Sequence, residues 1–192
     1  KRKNINANLK TRNLFFHYLK DKKISSAYTQ LANILIKRLK NKSFTVAVSG
    51  GPDSLALAYL AKCYAIKNEC KMSIFIVDHK LRKNSSNEAK NVQKILSKNG
   101  LKSKILIWTS KKPLKNIQAL ARENRYKLIF KKCEKNKVNL LLTGHQKDDL
   151  YENFFIRLLR GSGLKGLVSI DNIITVYNGI KIIRPLLFFS KC

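Results

Sequence analysis

Two rhythms divide the chain. Up to residue 43 the apolar side chains recur three and four positions apart, and from Phe44 onward short β-rich apolar runs alternate with helical stretches. In the first part, residues 1–13 read as frayed and residues 13–22 as a short helix. A second helix follows, with Ser25 or Ser26 as its cap and Leu31, Ile34, Leu35 and Leu39 on one stripe. In the second part, strands are expected at residues 44–48, 72–77, 104–108 and 138–143. Helices are expected between and after them at residues 55–67, from Ser85 to Gly100, at 117–135 and at 150–160. Ser85 and Glu88 have the spacing of a capping box. Strands separated by helices of this length pair in parallel, in a sheet covered on both faces. The end differs: residues 173–177, Asn178-Gly179 and residues 180–184 read as a β-hairpin with a type I′ turn. The expected fold is therefore α/β, a Rossmann-like parallel sheet with helices on both faces. It divides into a basic helical extension over residues 1–43 and a catalytic domain over 44–192 that ends in the hairpin.

Charge changes this picture most. Lys plus Arg number 40 against 11 Asp plus Glu, a net charge of +29. Such a chain attracts polyanions, and RNA or DNA is the natural one. The plainer reading is a solvated surface rich in Lys. Lysine outnumbers arginine, which favours contact with a phosphate backbone over base readout. Residues 1–42 hold twelve Lys/Arg and one acid, Asp21, so the extension reads either as an RNA contact or as an amphipathic helix packed on the domain. None of the four cysteines, Cys63, Cys70, Cys133 and Cys192, forms a C-x-x-C pair. A zinc or iron–sulfur site thus has no support, and the pattern suits a reducing, cytoplasmic setting. No apolar run approaches the ~18 residues that span a bilayer. The first residue is Lys, so a trimmed start and a basic transit leader both stand as readings of the N-terminus.

The chemistry concentrates at the strand ends. The first strand runs into Ser49-Gly50-Gly51-Pro52-Asp53-Ser54, which opens a helix. Small residues let backbone N–H groups approach an oxyanion, the helix terminus adds positive potential, and Ser49 and Ser54 add hydroxyls. Asp53 suits a magnesium ion that in turn holds phosphate. The loop is neither a Walker A motif nor a dinucleotide fingerprint. The second strand ends in Val77-Asp78-His79-Lys80-Leu81-Arg82, at the sheet edge where open α/β folds bind ligands. Arg122 and Arg125, three apart on one helix, are candidates to meet an RNA phosphate. The fourth strand delivers Gly144-His145-Gln146-Lys147-Asp148-Asp149, with Glu152 one helical turn beyond Asp149. Paired carboxylates there suit magnesium and the orientation of a nucleophile, and His145 suits proton transfer. Arg160 follows, in Arg160-Gly161-Ser162-Gly163-Leu164-Lys165-Gly166-Leu167, as a further RNA candidate.

These motifs resemble, in order, those of the tRNA(Ile)-lysidine synthetase family. The loop at Ser49–Ser54 is similar to the PP-loop of N-type ATP pyrophosphatases. The V-D-H-x-L-R run, the Arg122-to-Arg125 helix, the glycine-rich run after Arg160, and Arg184-Pro185-Leu186-Leu187 complete the match over about three quarters of the chain. The resemblance implies that ATP adenylates a carbonyl oxygen of the wobble cytidine in a tRNA(Ile) with a CAU anticodon. Free L-lysine then attacks, AMP leaves, and lysidine forms. It further implies ATP and Mg2+ as cofactors, with Ser49, Gly50, Gly51, Pro52, Asp53, Ser54, Asp78 and His79 at the ATP site. His145, Asp149 and Glu152 would be catalytic or lysine-binding. tRNA(Ile), lysine and a homodimer partner are expected, with no membrane.

Departures from the family pattern are Gln146 for a second His, Asn153 for Thr and Lys80 for Gly. Family members normally continue into C-terminal tRNA-binding domains, expected to be absent from a chain ending at Cys192. Two other readings stay open. One is a PP-loop tRNA thiolase, disfavoured by the absent C-x-x-C pairs. The other is a truncated, non-catalytic RNA-binding module, disfavoured by the presence of Asp53, His145, Asp149 and Glu152.

Overall fold

The computed structural model describes residues 15–39, 41–109, 117–145, 174–177, 179–187 and 189. The expected helix over residues 150–160 therefore lies outside the described residues, as do Asp149, Glu152 and Arg160. Six strands form one sheet: β1 (Ser43–Val48), β2 (Lys71–Asp78), β3 (Lys104–Ile107), β4 (Leu140–Thr143), β5 (Ile174–Tyr177) and β6 (Ile180–Ile183). Their order across the sheet is β3-β2-β1-β4-β6-β5. The first five in that order are mutually parallel, with Val46 registered against Ile74 on one side and Leu142 on the other. At the edge β5 pairs antiparallel with β6, Tyr177 opposite Ile180, and Gly179 between them takes a φ of +75° that suits glycine. Asn178 lies outside the described residues.

Helices cover both faces: α1 (Lys22–Arg38), α2 (Pro52–Lys67), α3 (Ser85–Lys98) and α4 (Ile117–Lys135). Period-two alternation splits the strands. Phe44, Val46, Val48, Ile74, Ile76, Leu140, Leu142 and Ile183 join the core under α1, α2 and α3. Phe75, Leu141, Ile180 and Ile182 face the other way and meet Ile129, Phe130 and Cys133 of α4. α2 is buried on nearly every side, including Leu57, Ala58, Leu60, Ala61, Cys63 and Tyr64, because it lies between the sheet and α1. Its small, apolar composition is what a helix enclosed all round requires.

Three helices stop in the same way. Past the ends of α2, α3 and α4, residues Glu69, Gly100 and Lys137 take φ of +53°, +70° and +54°. The next amide then bonds back to a carbonyl of the last turn: Cys70 to Ala65, Leu101 to Leu96 and Val138 to Cys133. Gly100 ends α3 as its sequence implied.

Two expected caps need correction. α1 starts at Lys22, capped by Asp21 and not by Ser25 or Ser26: one Asp21 carboxylate oxygen accepts from Lys23 N–H at 2.9 Å and Ile24 N–H at 3.1 Å. A carboxylate here gains from the helix dipole as well as the hydrogen bonds, so it outcompetes a serine further in. Extended backbone at Asp21 also ends the preceding 3-10 turn (Tyr18–Lys20), so the short first helix does not reach Lys22. The Ser85–Glu88 capping box is likewise not formed: Asn84 is the cap residue and makes no side-chain cap bond. The adjacent Ser86 hydroxyl is bound to Asp78 instead.

The extension is fastened to the domain. The Phe15 ring is fully buried, and its carbonyl accepts from the Tyr59 hydroxyl at 3.0 Å and the Cys63 thiol at 3.2 Å. Burial pushes the Cys63 thiol up to about 12, so this cysteine is an inert part of the core.

Candidate active site

The carboxyl ends of β1, β2 and β4 frame a cleft of about 480 Å³. Ser49, Gly51, Asp53, Ser54, Asp78, His79, Arg125 and His145 all line it, so the fold brings together eight of the residues singled out by the sequence. Gly50 and Pro52 complete the loop on its β1 side, Pro52 as the first residue of α2. Arg122 is not among the cleft-lining residues. It is exposed, with its guanidinium 6.0 Å from the centre of the Tyr126 ring.

The loop after β1 is arranged around one hydroxyl. Ser54 is buried, and its Oγ donates to the Gly51 carbonyl at 2.8 Å. The same oxygen accepts from the backbone N–H groups of Ser49 and Gly50, each at the long distance of 3.3 Å. Gly50 sits at φ +100°, a conformation reserved for glycine, which turns its amide inward. Gly51 caps α2 without any side-chain hydrogen bond, and Asp53 stands in the first turn, at the helix end whose dipole favours an anion.

The loop after β2 is built differently. Asp78 is buried, and one carboxylate oxygen accepts from Lys80 N–H at 2.9 Å while the other accepts from the Ser86 hydroxyl at 2.6 Å. Burial alone would raise its pKa, but the hydrogen bonds from Ser86, Lys80 and Ser85 outweigh it and hold the carboxyl below its ordinary value. Asp78 thus stays ionised and ties the loop to α3. His79 beside it receives a hydrogen bond from Arg125 Nε at 3.3 Å, and its ring meets Trp108 edge-on at 6.3 Å.

The β4 end supplies His145. The buried Thr143 hydroxyl lies 3.0 Å from His145 Nδ1 and fixes the ring whichever tautomer holds. Between them, Gly144 packs directly against the backbone at the start of α2. A Cβ there would fall 2.8 Å from Ser54 Cα and 2.9 Å from Ser54 N. Only glycine lets β4 approach the start of α2 closely enough to set His145 beside Asp53 and Ser54.

Sequence reasoning missed Gly144, Thr143 and Ser86 as supports. Their signals were a glycine before the strand-end histidine, a hydroxyl two residues ahead of it, and a second serine after Ser85. Arg184 was also given no role. It lies next to Tyr126 and Arg122, and burial lowers its pKa; burial likewise lowers that of Arg125, where Arg122 adds repulsion against the opposing pull of Tyr126. Arg122 and Arg184 thus flank Tyr126, which itself lines the cleft. Among the described residues no group of three His, Cys, Asp or Glu forms a metal cage. Asp53 with phosphate oxygens is the donor set that suits magnesium, which uses one or two carboxylates together with substrate phosphates. No helix of the described residues is long and apolar enough to cross a membrane.

A family model described as a PP-loop domain matches residues 21–192. The chain is 45% identical over 152 residues to the tRNA(Ile)-lysidine synthase of Orientia tsutsugamushi (strain Boryong), covering 79% of this chain and 34% of that protein. It is 42% identical over 159 residues to the tRNA(Ile)-lysidine synthase of Rickettsia felis, covering 83% of this chain and 36% of that one. The chain thus spans about a third of the length of these curated relatives. Among solved structures, a U34-tRNA thiolase from Methanococcus maripaludis superposes with a TM-score of 0.71 over 88% of this chain and 60% of its own, at 20% identity, a likeness of fold alone.

Proposed function

The chain belongs to the PP-loop domain family, and from that premise we propose that it is the ATP-using catalytic domain of a tRNA(Ile)-lysidine synthase. The observation that carries this reading is the convergence, in one cleft, of a glycine-rich anion loop on a helix N-terminus, Asp53 in its first turn, and His145 held by Thr143. The identities of 45% and 42% to two lysidine synthases support the choice of substrate.

Each residue then has a task. The amides of Ser49 and Gly50 and the first turn of α2 cradle the phosphates of ATP, replacing the long bonds that Ser54 Oγ now makes to those amides. Asp53 would hold Mg2+, which when bound offsets charge on the phosphates. Adenylation transfers AMP to the carbonyl oxygen of the wobble cytidine and releases pyrophosphate, which the same loop stabilises as it departs. The amine of lysine then displaces AMP. His145 would take up the proton that this amine sheds, and Asp149 and Glu152 would position the lysine. Arg125, and with it Arg122 and Arg160, would meet the RNA phosphates that bring the cytidine to the cleft.

ATP-dependent transfer of labelled lysine onto tRNA(Ile) with a CAU anticodon tests the reading. Incorporation that disappears when the wobble base is changed is the expected result. Pyrophosphate release driven by tRNA without any lysine incorporation would overturn the choice of second substrate and leave the ATP chemistry standing.

A further inference from the structure

A second surface lies outside the cleft. One face of α1, with Lys20 just before it, lines a shallow, open groove of about 740 Å³. Lys20 and Lys22 stand at one end and Lys37 and Arg38 at the other, about 24 Å apart for a helix rising ~1.5 Å per residue. Between them the groove is lined chiefly by neutral hydrogen-bonding side chains such as Ser26 and Asn33, and no carboxylate appears among its described lining residues. The one acid of residues 1–42, Asp21, is occupied in capping the helix.

We propose that this face of α1 docks on the sugar-phosphate backbone of RNA. Lysines in the first turn oppose the helix dipole, so helix stability does not account for Lys22. Cations with interspersed Ser, Thr, Asn and Gln are the side chains that contact phosphate and sugar without reading bases. The other occupants fit less well. The preceding segment carries Lys1, Arg2, Lys3, Lys10 and Arg12 and no acid, and a second copy carries the same net +29, so both are repelled. An anionic membrane would need the apolar stripe of the helix for insertion, but Tyr28, Leu31 and Leu35 are committed to the core. RNA as the polyanion agrees with the proposed function, but the groove is separate from the cleft, and the two readings fail in different assays.

The test replaces Lys20, Lys22, Lys37 and Arg38 together with Gln in the full chain. A labelled duplex RNA hairpin lacking any tRNA sequence is the probe. Affinity at moderate salt should fall at least tenfold, and the slope of log affinity against log salt should drop by about 3. RNA-independent ATP binding should be unchanged. A control removes the same number of charges from another exposed site, as Lys90, Lys94, Lys98 and Lys102→Gln. Equal losses in the two variants would mean diffuse attraction and overturn the proposal. So would undiminished RNA binding by the α1 variant, or a loss confined to phosphatidylserine vesicles. Two double variants, one per helix end, should each lose about half the slope, which guards against misreading an unfolded quadruple.

Discussion

The two loops that frame the cleft follow similar strands and precede similar helices, yet they spend their polar groups in opposite ways. After β1, two backbone amides rest on Ser54 Oγ at 3.3 Å, and no side chain caps the helix that follows. Those donors are weakly committed and ready for an anion. After β2, each oxygen of the Asp78 carboxylate accepts a firm hydrogen bond, from Lys80 N–H at 2.9 Å and from Ser86 at 2.6 Å. Its charge is engaged in bracing the loop against α3. One loop is suited to act as a receptor and the other is a brace beside the His79–Arg125 contact. Position in the topology alone does not distinguish them; the hydrogen-bond accounts do.

The comparison breaks most severely at Gly144, on which the receptor loop leans. Gly144→Ala places a methyl 2.8 Å from backbone that cannot yield. We expect destabilisation of about 1–3 kcal/mol and, through displacement of the loop relative to His145, a fall of roughly 100-fold in tRNA-dependent pyrophosphate release. Urea unfolding and the release assay check both, and wild-type activity would remove Gly144 from the site.

Asp78→Asn tests the brace. The amide puts a donor in place of one of the two oxygens, each of which already faces a donor, costing about 1–3 kcal/mol. The pH dependence has a definite sign. The folded pKa lies below the ordinary 3.8, so the stability from this carboxylate is present above that value and lost as pH falls through the folded one. Wild type and variant should therefore converge in stability under acid. A gap that persists at low pH would show that the ionised form is not what holds the loop.

Ser54→Ala sharpens the contrast from the receptor side. Loop stability should fall by about 1 kcal/mol, because of the bonds lost only that to the Gly51 carbonyl, at 2.8 Å, is short. The KM for ATP should rise about tenfold, as expected when about 1.4 kcal/mol of binding is lost with the loop's central hydroxyl. A variant that loses stability and keeps its KM would make the β1 loop a brace as well.

The sequence made the sheet legible because its strands are short, apolar and separated by helices, and α4 was read at its observed ends, Ile117–Lys135. Loop chemistry was legible where glycines and serines cluster, at Ser49–Ser54. It was less legible where one polar side chain has several suitors. Ser85 and Glu88 have the spacing of a capping box, but Asp78, distant in sequence and near in space, claims the neighbouring serine. Asp21 and the serines of α1 pose the same ambiguity, settled by a dipole that periodicity does not see. Gly144 is harder still: a glycine whose purpose is the closeness of another backbone shows nothing of that in its own neighbourhood.

The smallest expected effect lies within the brace. Lys80 occupies φ +49°, a left-handed conformation that costs a lysine roughly 1 kcal/mol. Its conformation is imposed by the short hydrogen bond from its own amide to the carboxylate of Asp78, two residues back. Lys80→Gly removes the strain but adds backbone freedom to the unfolded chain, so the net gain should be about 0.5 kcal/mol. For a chain of this size that is a rise of one or two degrees in Tm. Glu69→Gly is the matched control, since Glu69 takes φ +53° at the end of α2, far from the brace. Equal gains at the two positions would mean ordinary relief of left-handed strain. A gain at Glu69 with a loss at Lys80 would show that the lysine itself contributes to holding Asp78 ionised, as the charge beside that carboxylate suggests.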